Sequence, residues 1–144
     1  MLKRLKEVFA KTKNKIILDV GCGTRPIDIF DESNFVISFD KDSRSHLEEM
    51  AVQHPNNRFI YGNLNLLPIK ENSVDVIYVG FVPNFEISAT DYALRDCGYL
   101  IIDPCYNFDT LILDGYAICH VLQQKNENLK FLGWNTIVLQ KTKT

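Results

Sequence analysis

The stretch Ile16-Ile-Leu-Asp-Val-Gly-Cys-Gly-Thr-Arg-Pro26 decides the fold. Its first half, Ile16–Val20, is a mostly apolar run that ends in glycines, the mark of a strand buried on both faces. Gly21 and Gly23 then permit a tight turn and let the backbone approach another group without interference from a Cβ atom. Working outward, Phe35–Phe39 is a second apolar run, closed by Asp40. A helix is expected from about Ser45, where Ser45 and Glu48 have capping-box spacing, to about Gln53, with His54-Pro55 stopping it. Arg58–Tyr61 and Val74–Val79 read as further strands, Glu86–Cys97 as a helix and Tyr99–Asp103 as a fifth strand. Asp109–Gln124 carries enough apolar residues for a helix, against which Gly115 counts. Leu129–Phe131 and Asn135–Lys141 read as a strand pair turning around Gly133.

Strands alternating with helices imply βαβ units with right-handed crossovers. The expected architecture is an α/β, doubly wound, mostly parallel sheet with helices on both faces. The last two strands are too close in sequence for a helical crossover, so the C-terminal strand should run antiparallel. No repeat, low-complexity tract or linker interrupts residues 1–144, which read as a single domain.

Composition narrows the function classes. A net charge of −2 gives no strong field for nucleic acid. Cys22, Cys97, Cys105 and Cys119 lie far apart, with no CxxC pair and no histidine at ligand spacing. Neither a metal site nor a disulfide scaffold is expected; reduced thiols acting as small buried apolar groups in a cytoplasmic protein are. No stretch approaches the roughly 20 apolar residues of a membrane span, and no signal peptide is evident. Residues 1–15 carry six basic residues and one acid, with Leu2, Leu5, Val8 and Phe9 at helical spacing. An amphipathic helix laid on the domain's own sheet accounts for that pattern, with a membrane-surface or RNA-touching helix as the alternative.

In open α/β sheets ligands sit beyond the carboxyl ends of the strands. Asp40 falls nineteen residues after Gly21. That spacing places a carboxylate at the end of the next strand, where it can accept both hydroxyls of a ribose. The discriminating residue is Pro26. A dinucleotide fingerprint would have its third glycine there, with helix N–H groups aimed at a pyrophosphate. Proline has no N–H to give and prefers the first turn of a helix. A nucleotide-dependent oxidoreductase is thereby disfavoured, and no GK[ST] motif signals a P-loop. A ribose site without a phosphate site points towards S-adenosylmethionine.

At this point the sequence resembles the class I, Rossmann-like S-adenosylmethionine-dependent methyltransferases, in a minimal, methyltransferase type 11-like form. Ile17-Leu-Asp-Val-Gly-Cys-Gly23 resembles the family's first motif, and a GCGxxP loop goes with a short crossover helix, here Pro26–Glu32. Ser38-Phe-Asp40-Lys-Asp42 resembles the second motif. Gly62-Asn-Leu-Asn-Leu-Leu-Pro-Ile69 with Ser73-Val-Asp-Val-Ile77 resembles the next stretch, and Leu94–Asp103 resembles the segment along strand five. The resemblance spans about residues 15–104 in order. It implies that Asp19, Gly21 and Gly23 line the methionine end, that Asp40 holds the ribose, and that Lys41 lies beside the adenine. Asn63 stands where the family has an aspartate for the adenine amino group, with the N–H of Leu64 meeting the ring. Gly80 and Phe81 would sit near the sulfonium. Arg25 would face the cofactor carboxylate or solvent. Plainer roles stand beside these: Asp40 as a helix cap, the glycines as a strand-to-helix turn, Asn63 as a turn amide. Asp103-Pro-Cys-Tyr106 reads as a turn, and His46, His54 and His120 are isolated, so a catalytic role for any of them is not expected.

Two function classes follow from the resemblance. The first is a methyltransferase whose catalytic residues the sequence does not mark, because displacement on an activated sulfonium needs alignment more than a general base. The second is a noncatalytic domain of this fold serving as a regulatory or scaffolding subunit. A chain this short lacks a wall over the cofactor. The expected partners are therefore a second protein chain, a homodimer included, or a macromolecular substrate such as RNA, for which Lys3, Arg4, Lys6 and Lys11 offer a basic surface.

Overall fold

The computed structural model describes residues 2–22, 29–41, 44–55, 57–80, 82, 85–105, 113–124 and 134–142. The elements are α1 (Leu2–Val8), β1 (Ile16–Val20), β2 (Phe35–Asp40), α2 (Arg44–Gln53), β3 (Asn57–Tyr61), β4 (Val74–Gly80), β5 (Leu94–Cys105), β6 (Tyr116–Gln124) and β7 (Trp134–Lys141). Three short 3-10 turns, Leu64–Leu66, Ile87–Ala89 and Asp91–Ala93, stand in the connections around β4. The strands form one sheet in the order β3-β2-β1-β4-β5-β7-β6. β1 to β5 run parallel, while β7 is antiparallel to both β5 and β6.

The apolar runs become strands because alternate side chains feed two cores on opposite faces. Leu18, Val20, Phe39, Ile77, Val79, Leu100, Ile102, Ile137 and Leu139 face one side, which Phe85 and, from the 3-10 turns after it, Ile87 and Ala93 close. Ile17, Val36, Val76, Tyr78, Ile101 and Val138 face the other, beneath Leu5 and Phe9. Phe9 meets Phe30 and Tyr99 with ring centroids 5.5 and 5.9 Å apart. Helical segments thus cover both faces, and α1 lies on the sheet as its spacing predicts. Burying two such side chains contributes about 1.5–3 kcal/mol each. Among the described residues no helix is long and apolar enough to cross a membrane.

Several expected elements differ. Glu86–Cys97 is not a continuous helix. Its hydrogen bonds close three residues back (Ala89 N–H to Glu86, Thr90 N–H to Ile87, Ala93 N–H to Thr90), giving two 3-10 turns. Leu94 then pairs with Val74, which draws the start of β5 upstream of Tyr99. The segment read as a helix over Asp109–Gln124 holds β6 instead: Gly115 at φ +82 turns the chain, and Tyr116–Gln124 runs along β7. Residues 109–112 lie outside the described residues, as does Leu129–Phe131, and β7 takes β6 as its neighbour. The short helix Pro26–Glu32 is absent from its described part, residues 29–32, and Ser45 and the capping box fall on side chains outside the description. Asp103-Pro-Cys105 is strand, not turn; the β5–β7 register shifts between Ile102 and Cys105, where Pro104 has no N–H to give. Of the cysteines, Cys22 and Cys105 are buried as expected, whereas Cys97 and Cys119 are exposed.

Candidate functional site

The carboxyl ends of β1, β2 and β4 meet because β1 lies between the other two. Gly21 leaves β1 at φ +75, a left-handed conformation that glycine adopts without steric cost. Its N–H donates to the Phe39 carbonyl at 2.8 Å, and the Cys22 N–H donates to the same oxygen at 3.3 Å. The glycine turn is thereby tied to the strand that ends in Asp40. A Cβ built on Gly21 would stand 2.6 Å from the Gly80 carbonyl oxygen and 2.8 Å from Val82 Cγ2. Four site residues named from the sequence, Asp19, Gly21, Asp40 and Gly80, thus come together at adjacent strand ends.

Asp19 is 1% exposed. It faces Ser38 across the β1–β2 register, and the Ser38 hydroxyl donates to its Oδ2 at 3.3 Å. Asp40 is buried at the end of β2, with its carbonyl accepting from the Gly62 N–H at 3.1 Å, while Lys41 beside it is exposed. Asn63 lies just past β3, where its Oδ1 accepts from the Asn65 N–H at 2.9 Å and caps the 3-10 turn. That bond occupies one acceptor position of the amide and gives Asn63 a turn-forming role. Leu64 packs against the larger core. Gly23, Arg25 and Phe81, also named from the sequence, lie outside the described residues.

Two features had no sequence signal. The first is a cleft of about 460 Å³ beside Leu64, walled by Leu66, Glu86, Ser88, Ala89 and Tyr92. The Tyr92 hydroxyl spans it to the Leu67 carbonyl at 2.6 Å. The second is a polar line beneath the strand ends. Tyr78, opposite Asp19 on β4, donates its phenol to Asp103 Oδ2, and the Thr136 hydroxyl donates to Asp103 Oδ1 at 2.6 Å. Burial first, then the Asp103 hydrogen bond and the charges of Asp103 and Asp19, push the Tyr78 phenol far up, so it stays protonated. No group of three or more His, Cys, Asp or Glu among the described residues could hold a metal ion.

A buried carboxylate ends β2, a glycine turn adjoins it, and basic residues at the turn are limited to Lys41 within the described part.

No protein-family model matches the chain, and no curated protein matches it in sequence. Solved structures do match it in fold. An S-adenosylmethionine-dependent methyltransferase from Mesorhizobium loti superposes with a TM-score of 0.76 at 13% identity, covering 96% of each chain. The 1,6-didemethyltoxoflavin-N1-methyltransferase of Burkholderia thailandensis, solved with S-adenosylhomocysteine, gives 0.76 at 14% identity, covering 99% of this chain and 78% of its own. A methyltransferase from Aquifex aeolicus gives 0.74 at 16%, covering 98% and 89%. The seven-stranded sheet with its antiparallel C-terminal strand is the Rossmann-like fold of the S-adenosylmethionine-dependent methyltransferases.

Proposed function

We propose that the chain is an S-adenosylmethionine-dependent methyltransferase of the type 11-like kind, folded as one domain over residues 1–144 and working in the cytoplasm. The supporting observation is the pairing of Asp40 with the Gly21 turn. Both are tied to Phe39, and they sit at the strand ends where this fold takes ligands. In this reading Asp40 accepts the ribose hydroxyls and Lys41 flanks the adenine. Leu64 and Asn63 bound the ring, and Asp19, Gly21, Gly23 and Gly80 shape the methionine end. Bound S-adenosylmethionine supplies an activated methyl group. The protein's part is to hold the acceptor in line and keep water out.

The chain has few residues between β4 and β5 (81–93) and between β5 and β6 (106–115), and we read the acceptor itself, or a second chain, as completing the wall over the cofactor. We read the acceptor as a macromolecule. Lys3, Arg4 and Lys6 lie exposed on α1, whose other face is buried through Leu5, and they give an acidic partner or RNA a basic surface.

Calorimetry with S-adenosylmethionine and S-adenosylhomocysteine tests the reading. Binding of both, followed by methyl transfer to RNA or protein and little to small metabolites, is expected. Robust turnover of a small metabolite by the isolated chain would overturn the macromolecular acceptor. Absence of binding would overturn the enzyme and leave a noncatalytic scaffold of this fold.

A further inference from the structure

The sheet has two edges, and they are built differently. β3 is five residues long, contains Arg58, and has α2 packed against it. Short length, charge and a covering helix are the means by which proteins keep edge strands from pairing with other chains. β6 shows none of them among the described residues. It runs nine residues, Tyr116–Gln124, with no Asp, Glu, Lys, Arg or Pro in its sequence. Ala117 to Val121 are all exposed, so among the described residues nothing covers either face of this stretch, and β6 ends the strand order with no strand paired to its outer edge. Ile118 is 47% and Val121 44% exposed. They lie opposite Leu139 and Ile137 of β7, two members of the larger core, so both extend the apolar surface of that face to the margin of the sheet.

We infer that the chain pairs with a second copy of itself through the outer edge of β6, strand against antiparallel strand. A two-fold axis brings the same strand opposite itself, so the surface must be self-complementary. β6 meets that condition: with no formal charge along it, self-pairing sets no like charges opposite each other, and Ile118 and Val121 gain apolar neighbours. One device on this edge opposes pairing, the bulge between Ile118 and His120. It leaves His120 to Gln124 in unbroken register with Val138 to Trp134, a ladder as long as β1. The two-fold therefore falls near Leu122, and the sheet continues across both copies. The candidate cofactor site contributes nothing to this pairing, because β5 and β7 separate β4 from β6.

Sedimentation of the full chain over a concentration series, with hydrogen exchange at both ends of the series, tests the inference. A reversible monomer–dimer equilibrium is expected, with β6 amides exchanging more slowly in the dimer and β3 amides unchanged. Val121→Lys should weaken association at least about tenfold by setting like charges near the axis. Tyr61→Lys, at an exposed position on β3, should leave association unchanged. A chain that stays monomeric throughout overturns the inference. So does a dimer whose β6 amides exchange as fast as in the monomer, and that readout on the unaltered chain decides the matter even if Val121→Lys fails to fold.

Discussion

Gly21, the first residue after β1, and Gly80, the last of β4, lie so close that a Cβ on Gly21 would stand 2.6 Å from the Gly80 carbonyl oxygen. Contact with backbone cannot be relieved by rotating a side chain. The left-handed φ of Gly21 adds a cost of about 1–2 kcal/mol for any residue with a Cβ. Gly21→Ala should therefore lower stability by more than about 1 kcal/mol, and Gly21→Val by more, before any ligand is considered. Urea denaturation checks this. A Gly21→Ala midpoint equal to that of the unaltered chain would show that the strand ends can part freely.

Asp40 offers the cleaner probe of the cofactor reading, because its role there is chemical rather than steric. A carboxylate accepting two hydroxyls makes charge-assisted bonds of about 1.5–3 kcal/mol each. Asp40→Ala should weaken S-adenosylhomocysteine binding at least about tenfold in a variant that still folds. Calorimetry reads the change, and an unaltered affinity removes Asp40 from the site.

β1, β2, β4 and the centre of β5 could be read from the sequence because they are largely buried on both faces and so appear as mostly apolar runs. The partly exposed β3 showed only the short run Arg58–Tyr61. β6 could not be read as a strand. Its centre, Ala117 to Val121, is exposed, and of its described side chains only Tyr116 and Leu122 pack against a core, so the same letters suit a helix; Gly115 at φ +82 instead turns the chain into β6. The 3-10 turns before β5 escaped for a different reason: Leu94 is claimed by Val74 through the sheet, a contact no local spacing announces. At the candidate site, the glycine turn and the acid that ends β2 were legible as two motifs nineteen residues apart. The Tyr78–Asp103–Thr136 line was not, because its members come from three strands and meet only by register.

Tyr78 gives a pH signature. Its phenol is raised above the ordinary value of 10.0 by burial and by Asp103, and Tyr116 is raised likewise by burial and by its bond to Asp91. Below about pH 10 both states keep these protons, and the stabilisation is fully present. Above it the unfolded chain loses them first, so stability falls as pH rises, by at most about 1.4 kcal/mol per pH unit for each fully coupled group. Tyr116 is partly open to solvent and contributes less. Tyr78→Phe should lower stability near neutral pH and make the alkaline fall shallower. Parallel curves for variant and parent between pH 9 and 11 would contradict it.

Thr90 sits fully buried between the two 3-10 turns before β5, and its hydroxyl has no hydrogen-bond partner among the described residues. An unsatisfied buried hydroxyl costs about 1–3 kcal/mol, and an apolar group of the same shape removes that cost. Thr90→Val should be neutral or stabilising, by up to about 1 kcal/mol. A lowered melting temperature would mean that the hydroxyl is satisfied after all.

Lys141 closes the same region from the other end of the chain. Its ammonium is nearly buried on β7 and donates to the carbonyls of Asp91 at 2.8 Å and Leu94 at 3.0 Å. The Asp91 carboxylate stands 3.6 Å away and also accepts from the Tyr116 hydroxyl at 2.6 Å. One cation thus joins the 3-10 turn before β5, the start of β5 and the end of β7, while Tyr116 brings in β6. A methionine would fill the same space and leave two carbonyls without donors. The cost of orphaned buried acceptors, about 1–3 kcal/mol, then falls on the junction of three elements. Lys141→Met should lower the denaturation midpoint accordingly. Asp91→Asn should cost less, because its backbone carbonyl still accepts from Lys141 and its amide oxygen still accepts from Tyr116. Equal losses in the two variants would show that the ion pair, rather than the carbonyl contacts, holds the junction together.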